Sequence, residues 1–93
     1  MRRAAKVDSN HSDVVEAFRK MGASVFSTHM VGAGFPDLVV GYRGRNYLVE
    51  VKDGEKRPSA RALTEDEQKF FDTWKGQVMI VESVTEIAEC LNT

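Results

Sequence analysis

Apolar positions recur every three to four residues in some stretches of this chain and cluster in short β-rich runs in others, and the two rhythms predict different elements. From residue 8 or 9 to residue 22, Val14, Ala17, Phe18 and Met21 fall on one stripe with Val15 at its edge. That spacing predicts a helix opened by an N-cap type, Asp8 or Ser9, and closed by Gly22. Residues 23–29, with Val25 and Phe26, read as a first strand, and residues 30–35 as a glycine-rich connection. Two β-rich runs then flank Arg43-Gly44, which is a hairpin signal. Residues 53–62 are polar, hold Gly54 and Pro58, and read as a loop. Thr64 and Glu67 form a capping-box pattern ahead of Phe70, Phe71 and Trp74, predicting a second helix with those aromatics as its buried face and Gly76 at its end. Residues 77–81 predict a buried strand. Ser83 and Glu86 repeat the capping pattern before a short helix carrying Val84, Ile87 and Leu91. The sum is an α/β domain, a mixed sheet of about four strands flanked by helices.

The hairpin places chemistry. With Arg43 and Gly44 at the turn, Tyr42 faces Arg45, and continuing the ladder sets Asp37 across from Glu50. Side chains alternate along a strand, so Glu50 and Lys52 share a face, and Asp37 joins them there. Two carboxylates facing each other among Leu and Val repel unless a positive charge sits between them. A divalent cation meets that need, since Mg²⁺ takes one or two carboxylates and completes its shell with water and phosphate oxygens. Lys52, one step further, is placed to contact a scissile phosphate or the attacking water, a pattern that reads as metal-assisted phosphodiester hydrolysis. A plainer account is also open, in which Asp37 caps a turn after Pro36 and Glu50 and Lys52 form a solvated pair on an exposed sheet face.

Charge refines this picture. Thirteen basic residues against 14 acidic ones argue against a purely electrostatic nucleic-acid binder and move attention to local clusters. Arg2, Arg3 and Lys6 make residues 1–7 a basic, mobile arm ahead of a single domain at 8–93. Lys52, Lys56, Arg57 and Arg61 follow the proposed site, and Arg43 and Arg45 sit at the hairpin tip. Such residues hold backbone phosphates by position, or are ordinary solvated charges. Gly34 and its small neighbours would let a DNA backbone approach closely, or simply form a loop. On the first helix Glu16 points opposite Phe18, beside Arg19 and Lys20, and reads as a surface residue. Asn10 shares the stripe of Val14, Ala17 and Met21, with His11 close to it, and either holds a metal-bound water or phosphate or caps the helix. His29 reads as a polar residue at a strand end or at the rim of the site. Cys90 has no intrachain partner and reads as a core thiol, and there is no Cys/His set for zinc. No run approaches transmembrane length and no signal peptide is visible, so the expectation is a cytoplasmic protein with no membrane partner.

Gly34, Pro36, Asp37 and Leu38, then Glu50-Val51-Lys52, then the helix start at Leu63-Thr64, resemble the PD-(D/E)XK nuclease superfamily, and most of all its small virus-type replication-repair nuclease (VRR-NUC) branch. The likeness runs over roughly residues 9–83. It implies a restriction-endonuclease-like αβββαβ core, dependence on Mg²⁺ or Mn²⁺, and hydrolysis of DNA, often branched as a Holliday junction or flap. It implies that Asp37, Glu50 and the backbone carbonyl of Val51 bind the metal, that Lys52 positions or activates water, and that a Gln near the start of the second helix contributes. That position falls on Glu67, with Gln68 next to it. The superfamily's acid on the first helix has no counterpart facing the sheet, which leaves Asn10 as the peripheral candidate. Lys56, Arg57, Arg61, Gly34 and Arg43 are the expected DNA contacts. Small members of this kind tend to be homodimers, which suits a chain of 93 residues with a modest core. The expected setting is a bacterial or phage-infected cytosol. Two other readings stand beside this one, a non-catalytic nucleic-acid-binding module on the same fold and an interaction subunit of a phage replication or repair complex.

Overall fold

The computed structural model describes residues 8–92, and the expected basic arm lies outside them. The elements run α1 (His11–Lys20), β1 (Ser24–Ser27), β2 (Leu38–Tyr42), β3 (Arg45–Val51), α2 (Glu65–Thr73), β4 (Val78–Val81) and α3 (Ile87–Leu91), with single 3-10 turns at Pro58–Ala60 and Val84–Glu86. The result is a mixed α/β fold with one four-stranded sheet and three helices.

The hairpin has the register the turn residues predict. Tyr42 pairs with Arg45 and Leu38 with Val49, and Arg43 and Gly44 both take positive φ, 51° and 78°. Two successive positive φ values make a type I′ turn, whose twist matches that of the strands it joins. A slip by one residue would send every side chain of the pair to the other face, so this turn decides where Glu50 points. β1 adds antiparallel to β2, with Phe26 opposite Val39. β4 lies parallel to β3, with Glu50 beside Ile80 and Val51 beside Val81. A parallel neighbour requires a long crossover, and the segment carrying α2 supplies it.

The two faces of the sheet are covered unequally. Leu38, Val40, Tyr47, Val49, Val51 and Val81 point to one side and are buried with Val14 and Phe18 of α1 and Ile87, Cys90 and Leu91 of α3. Burying each large apolar side chain there contributes roughly 1.5–3 kcal/mol. The other face carries Phe26, Val39, Leu48 and Val78 as one row of cross-strand neighbours. It is only partly roofed by α2, none of whose residues is buried. The aromatic trio expected as a buried face is half-buried at Phe70 and Phe71, and Trp74 remains 43% exposed. The reason is that these rings pack on one another and on the connecting loop. Phe70 stacks on Trp74 at 4.9 Å and meets Phe35 edge-on at 5.3 Å.

Other boundaries shift for local reasons. α1 begins at His11, with Asn10 rather than Asp8 or Ser9 at the N-cap position and no side-chain cap bond from it. β4 is a sheet edge, so of the expected buried strand only Val81 is buried and Ile80 is 40% exposed. The capping box expected at Ser83 and Glu86 does not form. The Ser83 hydroxyl pairs with that of Thr85, and Glu86 Oε1 accepts the Glu82 N–H at 2.8 Å. Cys90 is buried, and burial together with the charge of Glu86 pushes its thiol up to about 11. Among the described residues no helix is long and apolar enough to cross a membrane.

Candidate metal centre

The site forms where the β2–β3 ladder runs out. One step before Leu38, Asp37 sits opposite Glu50, and both are buried, at 7% and 3% exposure. Its backbone is pinned from the β1 side by Thr28, whose N–H donates to the Asp37 carbonyl and whose hydroxyl donates to the Pro36 carbonyl, both at 2.7 Å. Its carboxylate Oδ2 accepts the N–H of Val51 at 2.9 Å. Continued by two residues, the register sets Val51 against Pro36, which is fully buried and has no N–H. A residue's N–H and C=O leave a strand on the same side. The Val51 carbonyl therefore faces the Asp37 side of the sheet, and proline offers it no ladder donor.

Glu50, Lys52 and Glu67 complete the cluster. Lys52 Nζ lies 2.8 Å from Glu67 Oε1 and 3.6 Å from Glu50 Oε2. Burial raises the Glu50 carboxyl to about 9, with the charges of Asp37 and Glu67 adding to the push and Lys52 opposing it. Asp37 is also raised by burial, against the Val51 N–H, Glu50 and the charge of His11. For Glu67 burial is outweighed by the hydrogen bonds from Lys52 and from the Thr64 N–H, and its carboxylate is held below the usual range. Burial works against the charge on Lys52, yet the hydrogen bond and charge of Glu67, with Glu50 and Asp8 behind them, hold the ammonium above its ordinary value. Burial and the neighbouring acids thus favour the protonated form of Glu50.

A divalent cation fits this arrangement. Glu50 Oε1 is buried and has no hydrogen-bond partner, Asp37 is beside it, and the Val51 carbonyl opens on the same side. Among the described residues no three His, Cys, Asp or Glu side chains form a ready metal cage. Two carboxylates and one carbonyl leave the rest of an octahedral shell to water and substrate oxygens, the habit of Mg²⁺ rather than of a structural ion.

The remaining candidates separate. Asn10 belongs to the scaffold, because its Nδ2 donates to the carbonyls of Lys52 (3.1 Å) and Glu82 (3.2 Å) and so brackets the ends of β3 and β4. Gln68 points away from the cluster and donates to Asp72 at 2.9 Å on the exposed side of α2. Glu67, one position earlier and 100° round the helix, is the one that enters. Glu16 pairs with Lys20 on the surface. His11 bears on Asp37 electrostatically and meets His29 edge-on at 5.8 Å, with His29 Nδ1 2.7 Å from the Ser27 hydroxyl. Of the basic cluster, Lys56 pairs with Asp8 (3.2 Å), Arg61 with Glu82 (2.8 Å), and Arg57 is exposed. Arg43 lies over the Tyr42 ring at 5.1 Å. The space at Gly34 is filled from within, since a Cβ there would sit 2.5 Å from the Asp66 carbonyl group. What the missing side chain admits is the start of α2. Thr28 carries no motif in the sequence, and only the β1 register reveals its role.

Comparison with protein-family models, curated proteins and solved structures found no match to this chain.

Proposed function

We propose that this chain is a metal-dependent DNA endonuclease with a restriction-endonuclease-like core of the PD-(D/E)XK type. The observation that carries the reading is the meeting of the buried Asp37 and Glu50 carboxyls at the end of a hairpin, with Lys52 two residues on. The order α1, β1, β2, β3, α2, β4 agrees with the core that the sequence resemblance implies. Asp37, Glu50 and the Val51 carbonyl would hold Mg²⁺ or Mn²⁺. When bound, the ion supplies Lewis-acid polarisation of the phosphate and lowers the pKa of water. Lys52 keeps a full positive charge at Nζ and presents it to the phosphate being attacked. Thr28 pins the Asp37 backbone and the Val51 N–H holds its carboxylate, so little reorganisation is left for the reaction itself. Branched DNA as substrate, a homodimer and a cytoplasmic setting come from the same resemblance and are part of the proposal.

The test is cleavage of synthetic four-way, flap and plain duplex DNA with and without Mg²⁺. Asp37→Asn and Lys52→Ala should fold and bind DNA yet lose hydrolysis by about a hundredfold or more. Undiminished cleavage by both variants would refute the assignment. A second reading, a nucleic-acid-binding module without catalysis, draws on one observation, that α1 sends no acid to the site while Glu16 stays in solvent. It predicts salt-sensitive binding with no Mg²⁺-dependent product.

A further inference from the structure

Resting on the nuclease reading, we propose that Glu67 is a positioning residue for Lys52, and that through it the first turn of α2 sets the reactive geometry. Three contacts fix that turn. Thr64 caps it by accepting the Glu67 N–H, and Glu67 Oε1 accepts the Thr64 N–H in return, at 3.2 and 2.9 Å. Gly34, at φ +82°, lies flush against the backbone of Asp66 and Glu67. Lys52 Nζ donates to the same Oε1 at 2.8 Å. Glu67 is thus a carboxylate whose own position is set twice by backbone before it meets the lysine.

The consequence lies at Glu50. Lys52 has two acidic neighbours and stands closer to Glu67, 2.8 Å against 3.6 Å. A lysine without Glu67 has one partner left and closes on Glu50, covering the carboxylate that a cation must reach. Glu67 therefore keeps Lys52 near the metal centre without letting it occupy the centre. Glu67 serves the lysine in this scheme, since the lysine and the Thr64 N–H converge on its Oε1.

The experiment uses the full chain. Mg²⁺ binding is measured by calorimetry without DNA, and kcat and KM are measured on whichever DNA the wild type cleaves. Glu67→Ala should weaken Mg²⁺ binding severalfold and lower kcat about tenfold or more with KM little changed. Glu67→Gln, whose amide oxygen still accepts from both partners, should recover most of both. Gly34→Ala pushes the turn away and should mimic Glu67→Ala although it touches neither Lys52 nor Glu50. Ile87→Val, a mild packing loss on the far side of the sheet, should leave Mg²⁺ binding and kcat at the wild-type level. In Lys52→Ala, adding Glu67→Ala should bring no further loss of kcat. Full additivity of those two changes, or unaltered Mg²⁺ binding in Glu67→Ala, overturns the role given to Glu67. A wild type that binds Mg²⁺ but cuts no DNA overturns the nuclease reading instead, and the calorimetric comparison still decides whether Glu67 governs access to Glu50.

Discussion

The surroundings of Glu50 favour its protonated form. Its carboxyl is raised from 4.5 to about 9 by burial and by the acids beside it. Between those values Glu50 binds more protons in the folded chain than in the unfolded one, so its contribution to stability falls as pH rises and levels off above about 9. The slope at its steepest is one proton's worth, on the order of 1 kcal/mol per pH unit. Urea unfolding of metal-free protein from pH 5 to 9 should show this decline, and Glu50→Gln should flatten it. On the proposed site Mg²⁺ and the proton would compete for one carboxyl, so Mg²⁺ should raise Tm more at pH 8 than at pH 6. A Mg²⁺ effect independent of pH would mean that the ion binds away from Glu50.

The hairpin was open to inference from sequence because its determinants are local. Gly44 and the two alternating runs fix the register, and the register alone brings Asp37 to Glu50. Asn10 and Glu67 stand out in the sequence, but the contacts that they and Thr28 make are not legible there, because their partners arrive from far along the chain. Thr28 depends on how β1 pairs, the Asn10 bracket joins positions 42 and 72 residues away, and Glu67 depends on how α2 lies against Gly34. The turn still carries one awkward residue. Arg43 sits at φ 51°, a region that non-glycine residues other than Asn and Asp enter at a cost. Arg43→Asn would make the favoured Asn-Gly turn and should stabilise the protein by roughly 0.5–1 kcal/mol, read as a higher urea midpoint with an unchanged slope.

For the whole molecule the unequal covering of the sheet divides labour. The layer with α1 and α3 holds the core, while the layer with α2 holds the charged cluster and buries no helical residue. Amide hydrogen exchange should therefore find α2 opening well before β2, β3 and α1, as lightly packed segments do. Truncations should show the same contrast. Val49→Ala, fully buried, should cost about 2–3 kcal/mol, and Phe26→Ala, 73% exposed, less than about 0.5. Equal costs would mean that Phe26 is covered in solution by something beyond the single chain.

Pro36 deserves a last thought as an amino acid chosen for what it lacks. Any other residue at that place would offer its amide hydrogen to Val51 and zip the two strands one rung further. The imino acid leaves the seam open one rung beyond the two facing carboxyls, and a main-chain oxygen there is left without its ladder donor.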